Sequence, residues 1–181
     1  NNFIINDLII SRKNKIIKVD KINLDYFDRS DKKNKFTLRR IKKNDYELNG
    51  SLLNADSLIT KLLKSKDDQK LDVFKENVNM TLNISNVYLD NDNIVKNLNG
   101  NLRIVDNKIN QAKISALFDA NKNLTFSINT KDGEKITTLY SSNAKPLVNR
   151  YKFVKGFEGT NEGYLDFYSS KKNGISNSKL V

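Results

Sequence analysis

The chain has 181 residues, a formal net charge of +11 and 38% hydrophobic residues, enough length for one domain but a thin apolar supply. It contains no His and no Cys. That excludes His-based triads, His or thiolate metal sites, disulfides and thiol nucleophiles.

So few apolar side chains suit a sheet with one apolar face better than a three-layer sandwich. The basic residues are scattered, with short clusters at Arg12-Lys13, Lys32-Lys33, Arg39-Arg40 and Lys42-Lys43. No aromatic is interleaved with them as in a nucleic-acid-binding motif. Asn, Lys and Ile are heavily used and come largely from AT-rich codons. The charge therefore reads first as solvated surface, with an anionic partner as the alternative. No run of about 20 apolar residues is present, and no signal peptide is visible.

Residues 1–45 read as additional strands of the same architecture as the rest, with Ile22, Leu24 and Tyr26 on one parity. Phe3-Ile4-Ile5 at the start and Ser178-Lys179-Leu180-Val181 at the end read as strands of a longer polypeptide, truncated at both ends. The final strand is expected to pair beyond Val181. Tyr46, Leu48, Gly50 and Leu52 alternate next. Ala55, Leu58, Ile59, Leu62 and Leu63 then recur at helical spacing. They predict a helix over Ala55–Lys64, capped by Asn54, with Lys64 and Lys66 near its end. The charged stretch from Lys64 to Glu76 predicts a loop.

Period-two alternation dominates the following residues. Val78, Met80, Leu82 and Ile84 share one parity, and the shift of parity before Val87 predicts a bulge near Ser85-Asn86. Leu98, Gly100, Leu102 and Ile104 form the next set. Ala112, Ile114, Ala116 and Phe118 form another, followed by Leu124, Phe126 and Ile128. Asp90-Asn91-Asp92-Asn93, Asp106-Asn107, Asp119 to Asn123 and Asp132-Gly133 separate these runs and read as turns. Pro146 fits the first turn of a short helix over Asn143–Tyr151, with Leu147, Val148 and Tyr151 as its stripe. The stretch Gly156 to Gly163 lacks the Gly-Lys-Ser/Thr ending of a phosphate loop. It reads as a flexible entry into a strand over Tyr164–Ser170. The fold class that follows is mainly β: an antiparallel, twisted meander sheet of the β-groove type, with one or two short helices and strand order largely following sequence order.

Catalytic chemistry finds no support. Asp67-Asp68 falls in a charged loop and Asp90/Asp92 in a turn. Asp90 to Asn93 starts like a calcium loop but lacks the Gly and the distal Glu. Ser141-Ser142 and Ser169-Ser170 have no base near them in sequence. No metal or cofactor is expected.

The order of features over residues 46–181 resembles the AsmA-like superfamily, in particular the C-terminal region of its large YhdP-type members. The resemblance rests on several steps. A Gly-containing strand runs into a helix at Leu48-Asn49-Gly50-Ser51-Leu52-Leu53-Asn54-Ala55-Asp56-Ser57-Leu58-Ile59. A Leu-x-Gly-x-Leu strand follows at Leu98 to Leu102, then a strand pair at Lys113 to Phe118 and Leu124 to Ile128. A strand enters a short helix at Tyr140 to Leu147, and a Gly step enters a final strand at Glu162 to Phe167. The chain departs from the pattern at Glu162-Gly163, where paired glycines are common, and at Arg150-Tyr151.

That resemblance implies a periplasmic segment of an inner-membrane-anchored bridge that binds or conducts phospholipid towards the outer membrane of a Gram-negative envelope. It implies no catalytic residues. The lipid-contact residues expected on the apolar face are Val78, Met80, Leu82, Ile84, Leu102, Ile104, Ile114, Phe118, Leu124, Phe126 and Ile128. Expected partners are phospholipid acyl chains, the inner membrane through a segment outside this sequence, and envelope proteins, with no nucleic acid. Two alternatives remain open: a non-catalytic β-scaffold in envelope assembly, and a charge-driven nucleic-acid binder.

Overall fold

The structure, a computed structural model, describes residues 1–64, 73–151 and 163–181. The chain is mainly β, with 13 strands in a mostly antiparallel open arrangement and two short helices among the described residues. The elements in order are β1 (Asn2–Asn6), β2 (Ile9–Ile10), β3 (Ile16–Lys18), β4 (Lys21–Phe27), β5 (Lys33–Arg40) and β6 (Asp45–Asn54). Helix α1 (Asp56–Lys64) follows, then β7 (Val78–Tyr88), β8 (Ile94–Val105), β9 (Lys108–Leu117), β10 (Asn123–Lys131) and β11 (Glu134–Ser141). Helix α2 (Ala144–Tyr151), β12 (Leu165–Lys172) and β13 (Ile175–Leu180) complete the chain.

Eleven strands form one sheet in the order β1-β4-β5-β6-β7-β8-β9-β10-β11-β12-β13, and β2 and β3 pair separately. Strand order thus follows sequence order apart from the β2–β3 excursion. The turns carry the backbone that the Asn/Asp clusters predict. Asp106 and Asn107 have φ of 50° and 62°, and Asp132 and Gly133 have 50° and 73°, the paired left-handed residues that tight hairpins need. Asn173 and Gly174, at 50° and 80°, make a further turn of this kind between β12 and β13.

The meander is not wholly antiparallel. β6 and β7 run parallel, from Asp45 opposite Asn79 to Asn54 opposite Tyr88. A parallel neighbour requires the chain to return to the starting end of the strand. The stretch between Asn54 and Val78, which contains α1, is long enough to do so. Asn54 bonds the helix start as its cap, its Oδ1 accepting from the Asp56 N–H at 3.1 Å. The Ala55 N–H donates to the Tyr88 carbonyl at 2.9 Å and pins the helix to the end of β7. The predicted helix stripe is described as far as Ile59. The side chains of Leu62, Leu63 and Tyr151, and residues 65–72 and 156–162 of the two predicted loops, lie outside the described residues.

The parity shift near Ser85 is real, but it has a different origin from a bulge in β7. β7 keeps its register with β6 and β8 through this level. The extra residues appear at the outer borders, where β6 slips against β5 beside Ser51 and β8 slips against β9 beside Asn97. Ser51, Ser85 and Asn97 stand at one level of three adjacent strands, and Asn97 has φ 52°. β6, β7 and β8 therefore change parity together: Leu53, Val87 and Val95 point to the face that Leu48, Leu82 and Leu98 occupy lower down. Such insertions increase local twist.

Two glycines let the flanking strands approach this block. A Cβ on Gly50 would lie 2.7 Å from the Phe36 Cβ. A Cβ on Gly100 would strike the Lys113 carbonyl oxygen and come within 2.9 Å of the Ile114 Cα. Backbone cannot yield as a side-chain tip can. Gly100→Ala is expected to cost about 1–3 kcal/mol in urea unfolding, whereas Gly163→Ala, with nothing within 4 Å of the new methyl, is expected to stay within about 0.5 kcal/mol of the parent.

Candidate functional site: the apolar face of the sheet

Because the strands share register, one residue from each of the eleven falls into a single transverse row. Ile5 faces Ile22, Ile22 faces Leu38, Leu38 faces Leu48, and Leu48 faces Leu82. The row continues through Gly100, Ile114, Phe126, Leu139 and Phe167 to Leu180. No member is polar or charged. At roughly 4.8 Å per strand, the row spans roughly 48 Å across the sheet.

The two ends of this face are buried, and the middle is covered only in part. Towards α1 and α2, a core joins Ile84, Val87, Val95, Phe118 and Leu124 with Ala144, Leu147 and Val148 of α2 and Ala55 at the start of α1. Towards the opposite end, Val19, Leu38, Tyr46, Val78 and Ile104 pack around Phe74. The Phe74 and Tyr46 rings lie 5.1 Å apart, and Ile16 bonds the backbone on both sides of Phe74 at 2.8 Å. A small third cluster joins Ile109, Ala112 and Ile128, with Leu102 and Phe126 against it. Between these lies a band of half-buried apolar residues: Leu48, Met80 and Leu139, which lean on the end cores, and Ile114 and Phe167.

This arrangement sorts the eleven residues that the sequence marks as lipid contacts. Ile84, Phe118 and Leu124 belong to the helix-end core, and Val78 and Ile104 to the opposite core. Ile128 is buried in the third cluster, and Leu82 is 8% exposed on the row itself. Met80, Leu102, Ile114 and Phe126 are half-buried and open in part to solvent. The row adds members that the sequence places in strands without marking them as contacts: Leu48 in the 46–52 run and Phe167 in the strand over Tyr164–Ser170. Leu38 and Leu139 sit in short Thr-interrupted stretches whose alternation is weaker.

The opposite face carries the charge. Arg39 pairs with Glu47 at 3.1 Å, and Lys33 and Lys35 approach Asp25 at 3.5 and 3.6 Å. Exposed pairs of this kind contribute little to stability but keep that face wet. No group of three or more Asp, Glu, His or Cys able to hold a metal occurs among the described residues. The Asp90 carboxylate is used within its own turn, accepting from the backbone N–H groups of Asp92 and Asn93 at 2.8 Å each.

One polar corner is built into the helix end. Asn34, 1% exposed, accepts the Asn54 N–H at 2.7 Å. The Asp28 carboxylate accepts from the Asn54 and Asn34 side chains and from the N–H groups of Ser30 and Lys32. Burial pushes the Asp28 carboxyl up, but these four hydrogen bonds outweigh it and hold it below its ordinary value of 3.8. A depressed carboxylate stabilises the fold above its unfolded value, and that contribution disappears as pH falls through the folded value. The melting temperature is therefore expected to fall below about pH 4, and less steeply in Asp28→Asn than in the parent when both are melted from pH 5 down to pH 2.5.

No family model, no curated protein and no solved structure matches this chain.

Proposed function

We propose that this chain is a periplasmic segment of an AsmA-like, inner-membrane-anchored bridge, and that its apolar face carries phospholipid acyl chains towards the outer membrane. The observation that supports this reading is the uninterrupted apolar row across all eleven strands, with its half-buried middle. An acyl chain in water costs about 0.8 kcal/mol per buried methylene, so a chain of ~16 carbons meets a barrier of roughly 12 kcal/mol. A continuous apolar strip lowers that barrier at each step without bond chemistry, so the role needs no catalytic group, metal or cofactor. The headgroup remains at the solvated rim while the acyl chain lies on the strip.

A second reading, a structural β-scaffold without lipid, draws on the tight packing of seven of the eleven marked residues. Purification without detergent followed by native mass spectrometry separates the two. Co-purified phospholipid is expected, and lipid-free protein would favour the scaffold. Ile114→Asp and Leu82→Asp then test the location. Ile114 lies in the open band, so a carboxylate there stays hydrated, and the variant is expected to fold but to lose most of its bound lipid. Leu82 is buried, and an unpaired charge there is expected to cost several kcal/mol in urea unfolding.

A further inference from the structure

We infer that the outer face of β7 to β10 carries a second binding site, a shallow trough that takes a phosphorylated saccharide through Arg103 and Lys113. The trough has a volume of about 640 Å³ and spans four strands, roughly 14 Å across. Its floor is the backbone of Met80, Leu102, Ala112 and Ile128, and its walls are side chains of the opposite parity. Two transverse rows supply them. One runs from Asn79 through Arg103 and Gln111 to Asn129, the other from Thr81 through Asn101 and Lys113 to Ser127. β9 inserts one extra residue, Asn110, beside the Arg103–Gln111 pair. An insertion of that kind bends the strand and re-aims the side chains next to it.

Elsewhere on this face the cations have partners: Arg39 has Glu47, and Lys33 and Lys35 have Asp25. Arg103 and Lys113 are exposed and make no ion pair among the described residues, and no carboxylate among those residues lines the trough. The carboxylates at its β6 border are engaged, Asp45 accepting from Asn79 at 2.8 Å and Glu47 holding Arg39. Lys113 stands opposite Asn101 and Arg103 opposite Gln111. The two cations are therefore diagonal neighbours, with backbones about 7–8 Å apart and long side chains able to meet on one tetrahedral anion between them. A phosphate monoester, with a charge of about −1.5 to −2 near neutral pH, matches the pair.

The neutral side chains select what the phosphate is attached to. The Thr81 hydroxyl donates to the Asn101 Oδ1 at 3.1 Å, which leaves the Asn101 amide N–H groups to donate to the anion. Asn79 gives an N–H to Asp45 and keeps its Oδ1 as an acceptor. Gln111 and Asn129 each offer a donor and an acceptor, the combination that suits a sugar hydroxyl, itself both. No aromatic lines the trough among the described residues, so nucleic-acid bases have nothing to stack on. Two cations are fewer than the cluster of about four to eight that marks binding to an anionic membrane. The site lies on the face opposite the apolar row and stands apart from the lipid reading.

Isothermal titration calorimetry on the whole chain tests this, with trehalose 6-phosphate as the probe and trehalose and inorganic phosphate as its two halves. Trehalose 6-phosphate is expected to bind about tenfold or more tighter than either half. Arg103→Gln and Lys113→Gln are each expected to weaken it about tenfold or more, the loss of one charge-assisted contact. Both are expected to leave urea unfolding unchanged, because neither side chain has a partner to lose. Lys21→Gln, which removes an exposed lysine of β4, is expected to bind as the parent does. Absence of binding overturns the inference, as does binding that survives both trough substitutions or falls equally in Lys21→Gln. Inorganic phosphate binding as tightly as trehalose 6-phosphate overturns it too. So does an oligothymidylate, or a phosphatidylglycerol vesicle, that binds more tightly and is lost in the same two variants.

Discussion

A single-layer sheet that carries its apolar residues on one face must find cover for them, and the rest of this structure depends on how that is met. Two short helices at one end and the segment around Phe74 at the other seal the margins. Between them the sheet must cover itself, because no second layer is present among the described residues. The extra residues at the level of Ser51, Ser85 and Asn97 turn the upper part of three strands so that Leu53, Val87 and Val95 meet α2 and the start of α1. Gly50 and Gly100 remove the methyl groups that would hold the neighbouring strands off. Cover at the ends and exposure in the middle are thus two results of the same short supply of apolar residues.

The polar residues divide along the same line. Charged side chains pair across the outer face, where water screens them. The Asp28 carboxylate ties the β4–β5 turn to the end of β6, where the chain leaves for α1. That corner connects the parallel β6–β7 seam to the edge of the helix-end core.

Much of this was legible in the sequence, for a definite reason. Strands from Val78 to Ile128 have one buried face, so alternation with period two marks them and the Asn/Asp turns between them. Pairing direction leaves no such mark: β6 alternates in the same way whether its neighbour is parallel or antiparallel. The parity shift after Ile84 was visible, yet its extra residues are counted at the borders with β5 and β9, which no single strand reveals. Asn173-Gly174 is a strong hairpin signal, but β13 behind it is mostly Ser, Asn and Lys, so periodicity is silent there. Val78 and Met80 are equivalent in the pattern. Val78 is buried in the cluster around Phe74, whose neighbours Val73 and Lys75 bond the distant Ile16, while Met80 only packs against that cluster and stays half open.

The parallel seam between β6 and β7 has a kinetic meaning as well as a geometric one. Most other neighbouring pairs from β4 to β13 close over a hairpin or a short connection, whereas Asp45 meets Asn79 across 34 positions of chain and Ser141 meets Leu165 across 24. Loop closure of that length carries a larger entropic cost before any contact repays it. The molecule is thus three zippers, β4 to β6, β7 to β11 and β12 to β13, each able to form from local contacts, and their joining is the slow, non-local event. The joints of the folding reaction cut the apolar row between Leu48 and Leu82 and again between Leu139 and Phe167, so the row is the last feature of the molecule to become continuous.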